Sequence, residues 1–395
     1  MQQQPVVRTI TLGMEEAHPL TAGQILRAAG ILQRAGRRFQ AAGYQVQTMR
    51  LSTRPMFDDL IDWSDERLLA YVRELQGVLD DAQIDYCSLG PAQAARPTFP
   101  LARLALIPDL LAASGAINLA VQLADREHGL REDAALPVAQ AMQRLANETS
   151  EGFGNFRFAM LACVEPGTPF FPAAYHSGPT SLSLGLQGSS IVAGVADMWR
   201  ALDVAQPFAP SRIAELVRQA LIEQAGPSVD LAQVLAEEEQ VRFGGIDLSP
   251  APMGQESIGA AIEAFGYGLL GTAGTVALVA ALTGALKSTG LPTCGYCGLM
   301  LPVLEDVTLG KRWEEGQVST HELLLYSTIC GTGLDTIPLA GDTKKETLAN
   351  LLLDVATLAW RLHKPLSARI FPVPGKRAGE YTAFSSPYLT NTLLR

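Results

Sequence analysis

Basic residues are the first scarcity: 30 Lys and Arg stand against 40 Asp and Glu, a formal net charge of −10. A general nucleic-acid binder needs a basic face to release counterions, so that class is excluded. Local basic residues remain free to meet an anionic metabolite. Cysteine is sparse too, five in 395 residues, too few for a disulfide scaffold. Aromatics make up only 7%, whereas glycine and alanine are plentiful, a mix that favours close helix–sheet packing over a β-sandwich. The first five residues have neither the charged beginning nor the apolar core of a signal peptide, and no lipidation motif is evident. A reduced, cytoplasmic protein is the expectation. One long uncharged run, residues 264–286, reaches bilayer length, but its five glycines and three threonines suit a buried helix pair broken at Gly271. No membrane partner is expected.

Strand-like and helix-like stretches alternate along the chain. Short apolar runs stand at 6–12, 45–51, 84–89, 117–123, 156–164, 181–186, 298–303, 333–339 and 367–373, with one more beginning at Val241. Residues 104–107 fit either regular structure. Such alternation implies a mainly parallel sheet with right-handed crossovers. About ten strands exceed what an open twisted sheet carries comfortably, so the expected fold is a closed α/β barrel of about ten strands with its helices outside. No linker divides the chain. It reads as a single domain over 1–395, with a helical excursion at 207–239 as its softest point and a helix break at Gly226-Pro227.

The stretch from Val241 to Pro252 organises the chemistry. An apolar run breaks into Gly244, Gly245, Asp247, Ser249 and two prolines before a helical pattern resumes at Glu256. In α/β proteins side chains at such a strand end project into a crevice. Asp247 and Ser249 as turn caps are the plain alternative. Glu305-Asp306 also follows an apolar run, and Asp335 and Asp342 lie in or after another. Carboxylates at strand ends make acid/base pairs or Mg²⁺ ligands, while Asp342-Thr343 before Lys345 also reads as a helix cap. His176, after the proline-rich 166–175 loop, is a candidate general base, although a lone histidine is more often structural.

On the basic side, Lys364, Arg369 and Lys376 cluster near the last strand. Alternation puts Ser367, Arg369 and Phe371 on one face, and Leu366, Ala368 and Ile370 on the other. The aliphatic face suits outer helices, so Arg369 looks inward and needs a carboxylate or a bound anion. Cys294 and Cys297 form a lone CxxC, open to a metal or redox role but most simply buried structural thiols. Gly271–Thr275 at a helix start lacks Walker and Rossmann spacing, so no nucleotide cofactor is expected.

Several runs together resemble the DUF711 proteins, related to the UPF0210 group. They are Asn155-Phe-Arg-Phe-Ala, the run from Pro166 to His176, and Phe243-Gly-Gly-Ile-Asp-Leu-Ser-Pro-Ala-Pro. Further matches are Gly298-Leu-Met-Leu-Pro-Val-Leu-Glu-Asp, Cys330-Gly-Thr-Gly-Leu-Asp-Thr-Ile-Pro, Lys364-Pro-Leu-Ser-Ala-Arg and Pro374-Gly-Lys. The resemblance covers most of the chain from about Asn155 onward. It implies the pyruvate formate-lyase-like ten-stranded barrel. The radical enzymes of that fold carry a C-terminal glycine motif of the Arg-Val-x-Gly-Tyr type. This chain reads Gly379-Glu-Tyr-Thr-Ala-Phe there, so no glycyl radical is expected.

Two functions follow. One is an enzyme acting on a small anionic metabolite, with Asp247, Glu305 and Asp335 as acid/base groups or holders of a divalent metal ion and His176 as a further general base. Gly244, Gly245, Ser249, Arg369 and Lys376 would then hold the substrate. The other is a ligand-binding or regulatory protein using the same pocket without turnover. The Gly/Ala-rich helices offer a surface for homo-oligomers.

Overall fold

The computed structural model describes residues 4–202, 208–253 and 256–395. Ten strands form one sheet: β1 Val7–Gly13, β2 Val46–Ser52, β3 Cys87–Ala92, β4 Ile117–Asp125, β5 Gly129–Leu130, β6 Phe158–Ala162, β7 Ser181–Leu186, β8 Arg242–Asp247, β9 Gly333–Ala340 and β10 Leu366–Val373. The order is β8-β7-β1-β2-β3-β4-β6-β10-β9, with the short β5 pairing β4. Strands β1, β2, β3, β4 and β6 run parallel to one another, as do β7 with β8 and β9 with β10. The two directions meet in antiparallel pairs, β1 with β7 and β6 with β10.

Alternation along the strands builds two apolar layers. Leu119, Val121, Phe158 and Met160 join a large cluster beneath the surrounding helices. Their neighbours Ala120, Ala159 and Leu161 point to the opposite face and pack with Phe170, Tyr296 and Met300 in a second cluster. Strands covered on both faces read as near-continuous apolar runs, which is why β4, β6 and β9 are buried along almost their whole length.

The helices start where the sequence supplies caps. Thr21 and Gln24 make a reciprocal capping box for helix Ala22–Ala41, and the Ser64 side chain caps Asp65–Asp81. Helix Lys345–Leu362 begins at Lys344 without a side-chain cap, so the expected capping by Asp342-Thr343 is not made. Residues 104–107 are helical. Helix Pro210–Glu238 runs on through Pro227 and packs against β7 and β8. The expected break is overridden because Ala225, Ser228, Val229 and Ala232 stay buried across it. Pro207 lies outside the described residues. The uncharged run 264–286 is divided by a loop before helix Thr275–Lys287, and among the described residues no helix is long and apolar enough to cross a membrane.

Residues 298–303, expected as a strand, are irregular. They belong to a segment that reaches both ends of the sheet. Ile246 of β8 donates to Pro292 O at 2.9 Å and accepts from Cys294 N at 3.0 Å. At the other end, Val303 N donates to Asp335 O of β9 at 3.1 Å. Two close backbone approaches make this geometry accessible only to glycine. A Cβ on Gly245, whose φ is +113°, would lie 2.9 Å from Pro292 O, and one on Gly298 only 2.4 Å from the Gly331 Cα.

Candidate functional site

The sheet face that carries the second, smaller apolar cluster holds a cavity of about 390 Å³. Its walls come from residues of β1, β2, β4, β6, β9 and β10, and from residues just before β3 and β6. The loops after β6 and after β8 reach into it.

Arg369 stands at its centre. Leu366, Ala368 and Ile370 of the same strand join the helix-side cluster, so alternation turns Ser367 and Arg369 to the cavity. Its Nε donates to Asp335 Oδ1 and its Nη2 to Glu305 Oε1, both at 2.5 Å, and Phe156 packs its ring 5.3 Å from the guanidinium carbon. Burial alone would lower the Arg369 pKa, but the two carboxylates overcome it and raise the value. Glu305 is shared: its Oε2 accepts from Arg8 Nη2 at 3.4 Å, while Arg8 Nη1 donates to Pro252 O.

Two irregularities aim these groups. The β9–β10 register shifts opposite Arg369, so Asp335 and Thr336 together face one residue. Leu334, Ile337 and Leu339 then stay on the helix side, while Asp335 turns inward. Thr336 takes φ +47°, a costly conformation for a β-branched residue, and its hydroxyl accepts from Leu304 N. The β1–β7 register likewise shifts between Val7 and Thr9, bringing Arg8 inward.

Arg50 is different in kind. It is 8% exposed and lines the cavity, yet its one hydrogen bond runs from Nε to Thr48 Oγ1. Tyr86 and Phe171 place their rings 5.0 and 5.2 Å from its guanidinium carbon. Nη1 and Nη2 meet no protein acceptor among the described residues. Burial, then the charge of Arg8, pulls its pKa down to about 9. It stays cationic at neutral pH, without the carboxylate contact that Arg369 enjoys. Tyr86 is pushed up to about 12 by burial and by a hydrogen bond with Tyr388. Two further lining hydroxyls, Tyr296 Oη and Thr332 Oγ1, are buried without a hydrogen-bond partner of normal geometry, although Ser367 adjoins Tyr296. Native proteins rarely leave such atoms unsatisfied.

The family model described as "Uncharacterised ACR (DUF711)" matches residues 1–385. The chain belongs to the DUF711 family. It is similar to a UPF0210 protein of Syntrophobacter fumaroxidans, 28% identical over 96% of this chain and 88% of that one. A UPF0210 protein of Clostridium beijerinckii is 25% identical over the same shares. A third, from Listeria monocytogenes, is 28% identical over 70% of this chain and 63% of its own length.

Of the residues the sequence nominates, this DUF711 chain brings Arg369, Glu305 and Asp335 together in the cavity. The others lie elsewhere. Asp247 is fully buried and accepts from Ser249 N and Oγ, Tyr296 N and Cys297 N at 2.6–3.1 Å. Burial raises its pKa against the pull of these bonds. Ser249 Oγ also accepts from Gly298 N, so the pair locks β8 to segment 292–298. Gly244 and Gly245 make room for that lock: a Cβ on Gly244 would strike Ser183 Oγ. His176 is buried against Gly13, with Nε2 against the Gly178 and Pro179 carbonyls. Burial lowers its pKa despite them, which suits a packed neutral ring. Lys376 sits in the turn after β10, away from the cavity lining.

Asp306 caps helix Val307–Glu315 and accepts from Ser257 Oγ. Cys294 and Cys297 are free thiols whose pKa values burial pushes up. Among the described residues no group of three or more His, Cys, Asp or Glu side chains is placed to hold a metal ion. The residues that sequence reasoning passed over are Arg8, Arg50, Tyr296 and Thr332. Arg50 carried the same signal as Arg369, an arginine inside a strand run with Thr48 on its face.

Proposed function

We propose that the cavity is an active site that takes a small organic anion and works on it by acid–base chemistry. The observation that carries this is the Arg50 guanidinium, buried in the cavity with Nη1 and Nη2 unpaired among the described residues. Three arginines there face two carboxylates, so a bound anion balances the remaining charge and fills the empty donors. Asp335 supplies the base: Oδ1 is fixed by Arg369, while Oδ2 accepts no hydrogen bond among the described residues. The strained Thr336 beside it fits a position where geometry is held for chemistry.

We also read the sheet as closed into a barrel of the kind the family resemblance implies. Segment 292–303, bonded to β8 at one end and β9 at the other, would fill the seam and make the chain one domain around this cavity.

One observation favours binding without turnover: both carboxylates already accept short bonds from Arg369, as in a structural clamp. A single experiment separates the two. Purified protein is incubated with a pool of small organic acids and phosphate esters, and consumption is followed by mass spectrometry. The enzyme reading expects one anion to be consumed by the wild type, and to be bound but not consumed by Asp335→Asn. Binding with no consumption leaves the binding protein; no anion bound or consumed refutes both.

A further inference from the structure

Resting on that reading of the cavity, we infer that its ligand is a monocarboxylate with a flat apolar body, its carboxylate on the Nη edge of Arg50. Charge comes first. Arg8, Arg50 and Arg369 against Glu305 and Asp335 leave one positive charge. A single carboxylate balances it. A phosphate monoester carries nearly two charges at neutral pH and would leave an uncompensated anion beside Glu305 and Asp335, which burial makes costly.

Shape gives the same answer. Thr48 occupies Arg50 Nε, and the rings of Tyr86 and Phe171 pack against the guanidinium. What is left open is the Nη1/Nη2 edge, a planar fork that matches a carboxylate in a bidentate pair.

One stretch of the wall favours an apolar body, while Gln45, Gln47, Asn118 and Tyr388 line the cavity elsewhere. Phe156, Phe170, Phe171, Ala159, Met300 and Pro302 offer no polar side-chain group. The part of the ligand that lies against them would strand hydroxyls there, whereas an aromatic or unsaturated group buries well.

The test is calorimetric titration of the full chain at pH 7 with trans-cinnamate, benzoate, cinnamamide, phenyl phosphate and inorganic phosphate. The expected result is that the carboxylates bind at least about tenfold tighter than cinnamamide or either phosphate. Arg50→Gln should lose at least about tenfold for cinnamate, and Arg50→Lys should recover only part, because an ammonium cannot present the fork. The wild-type series stands by itself should either variant fold poorly. Phenyl phosphate binding tighter than cinnamate would overturn the inference and leave the anion site standing. So would unchanged cinnamate binding by a folded Arg50→Gln protein, or a pool anion that carries phosphate or a second carboxylate. If no probe and no anion of the pool binds, the active-site reading falls with it.

Discussion

Replacing Arg369 by Met should destabilise the protein far more than the loss of a surface charge. Arg369 is the only salt-bridge partner of Asp335 among the described residues, and it shares Glu305 with Arg8. Both carboxylates are nearly covered, with side-chain exposures of 8% and 6%. Removing one partner of a buried pair costs about 3–5 kcal/mol, because a charge is left without compensation. Unfolding entropy of about 2.1 cal/mol/K per residue gives roughly 0.8 kcal/mol/K for 395 residues, so the melting temperature should fall by about 4–6 °C. A stranded carboxyl escapes by taking up a proton. Its folded pKa is then raised, so the penalty grows as pH rises and fades, at about 1.4 kcal/mol per unit, as pH falls toward the ordinary carboxyl range. Calorimetric unfolding of wild type and variant at pH 7 and pH 5 measures both effects. Adding Asp335→Asn to Arg369→Met should return much of the lost stability. A variant melting within about 1 °C of wild type at pH 7 refutes the claim that these three charges hold one another.

Arg50→Gln should behave oppositely, since among the described residues no carboxylate is paired with Arg50: melting unchanged or raised, ligand binding lost, checked by the same scans and by titration. Gly245→Ala should cost about 2 kcal/mol or more in urea unfolding, because a Cβ at φ +113° would meet the backbone of Pro292. His18, buried between Tyr71 and Thr53, has its pKa lowered to about 4, mainly by burial. A depressed folded pKa gives stability that is present above the unfolded value near 6.5 and lost as pH falls toward 4. About 2 kcal/mol should therefore disappear between pH 7 and pH 5, and a His18→Gln variant should not show that slope.

The strand runs and the inward turn of Arg369 were legible because strict alternation holds in β10. Alternation failed as a guide where the chain bulges. It would place Asp335 on the helix side with Ile337 and Leu339, and Arg8 with Ile10 and Leu12; only the register shifts reverse this. Nothing local in sequence announces a bulge between Asp335 and Thr336. The Gly244–Ser249 stretch misled for another reason. Glycines followed by Asp and Ser at a strand end suit a ligand cradle and a backbone crossing equally, and here Pro292–Tyr296 is what they receive. Among the described residues of this stretch, Ala251, Pro252 and Met253, just beyond, reach the cavity. Residues 298–303 looked like a strand because strands and buried irregular segments both need apolar runs, and the contacts of segment 292–303 span too great a sequence distance to be read from spacing.

The central claim is that the Arg50 cavity takes an organic anion. It is tested most directly by mass spectrometry of the small molecules retained by wild-type protein and by Arg50→Gln after exposure to one metabolite extract and rapid desalting. The account predicts one or a few carboxylate anions enriched on the wild type and absent from a folded variant. The same compounds on both proteins, or retention of neutral and cationic species alone, would contradict it.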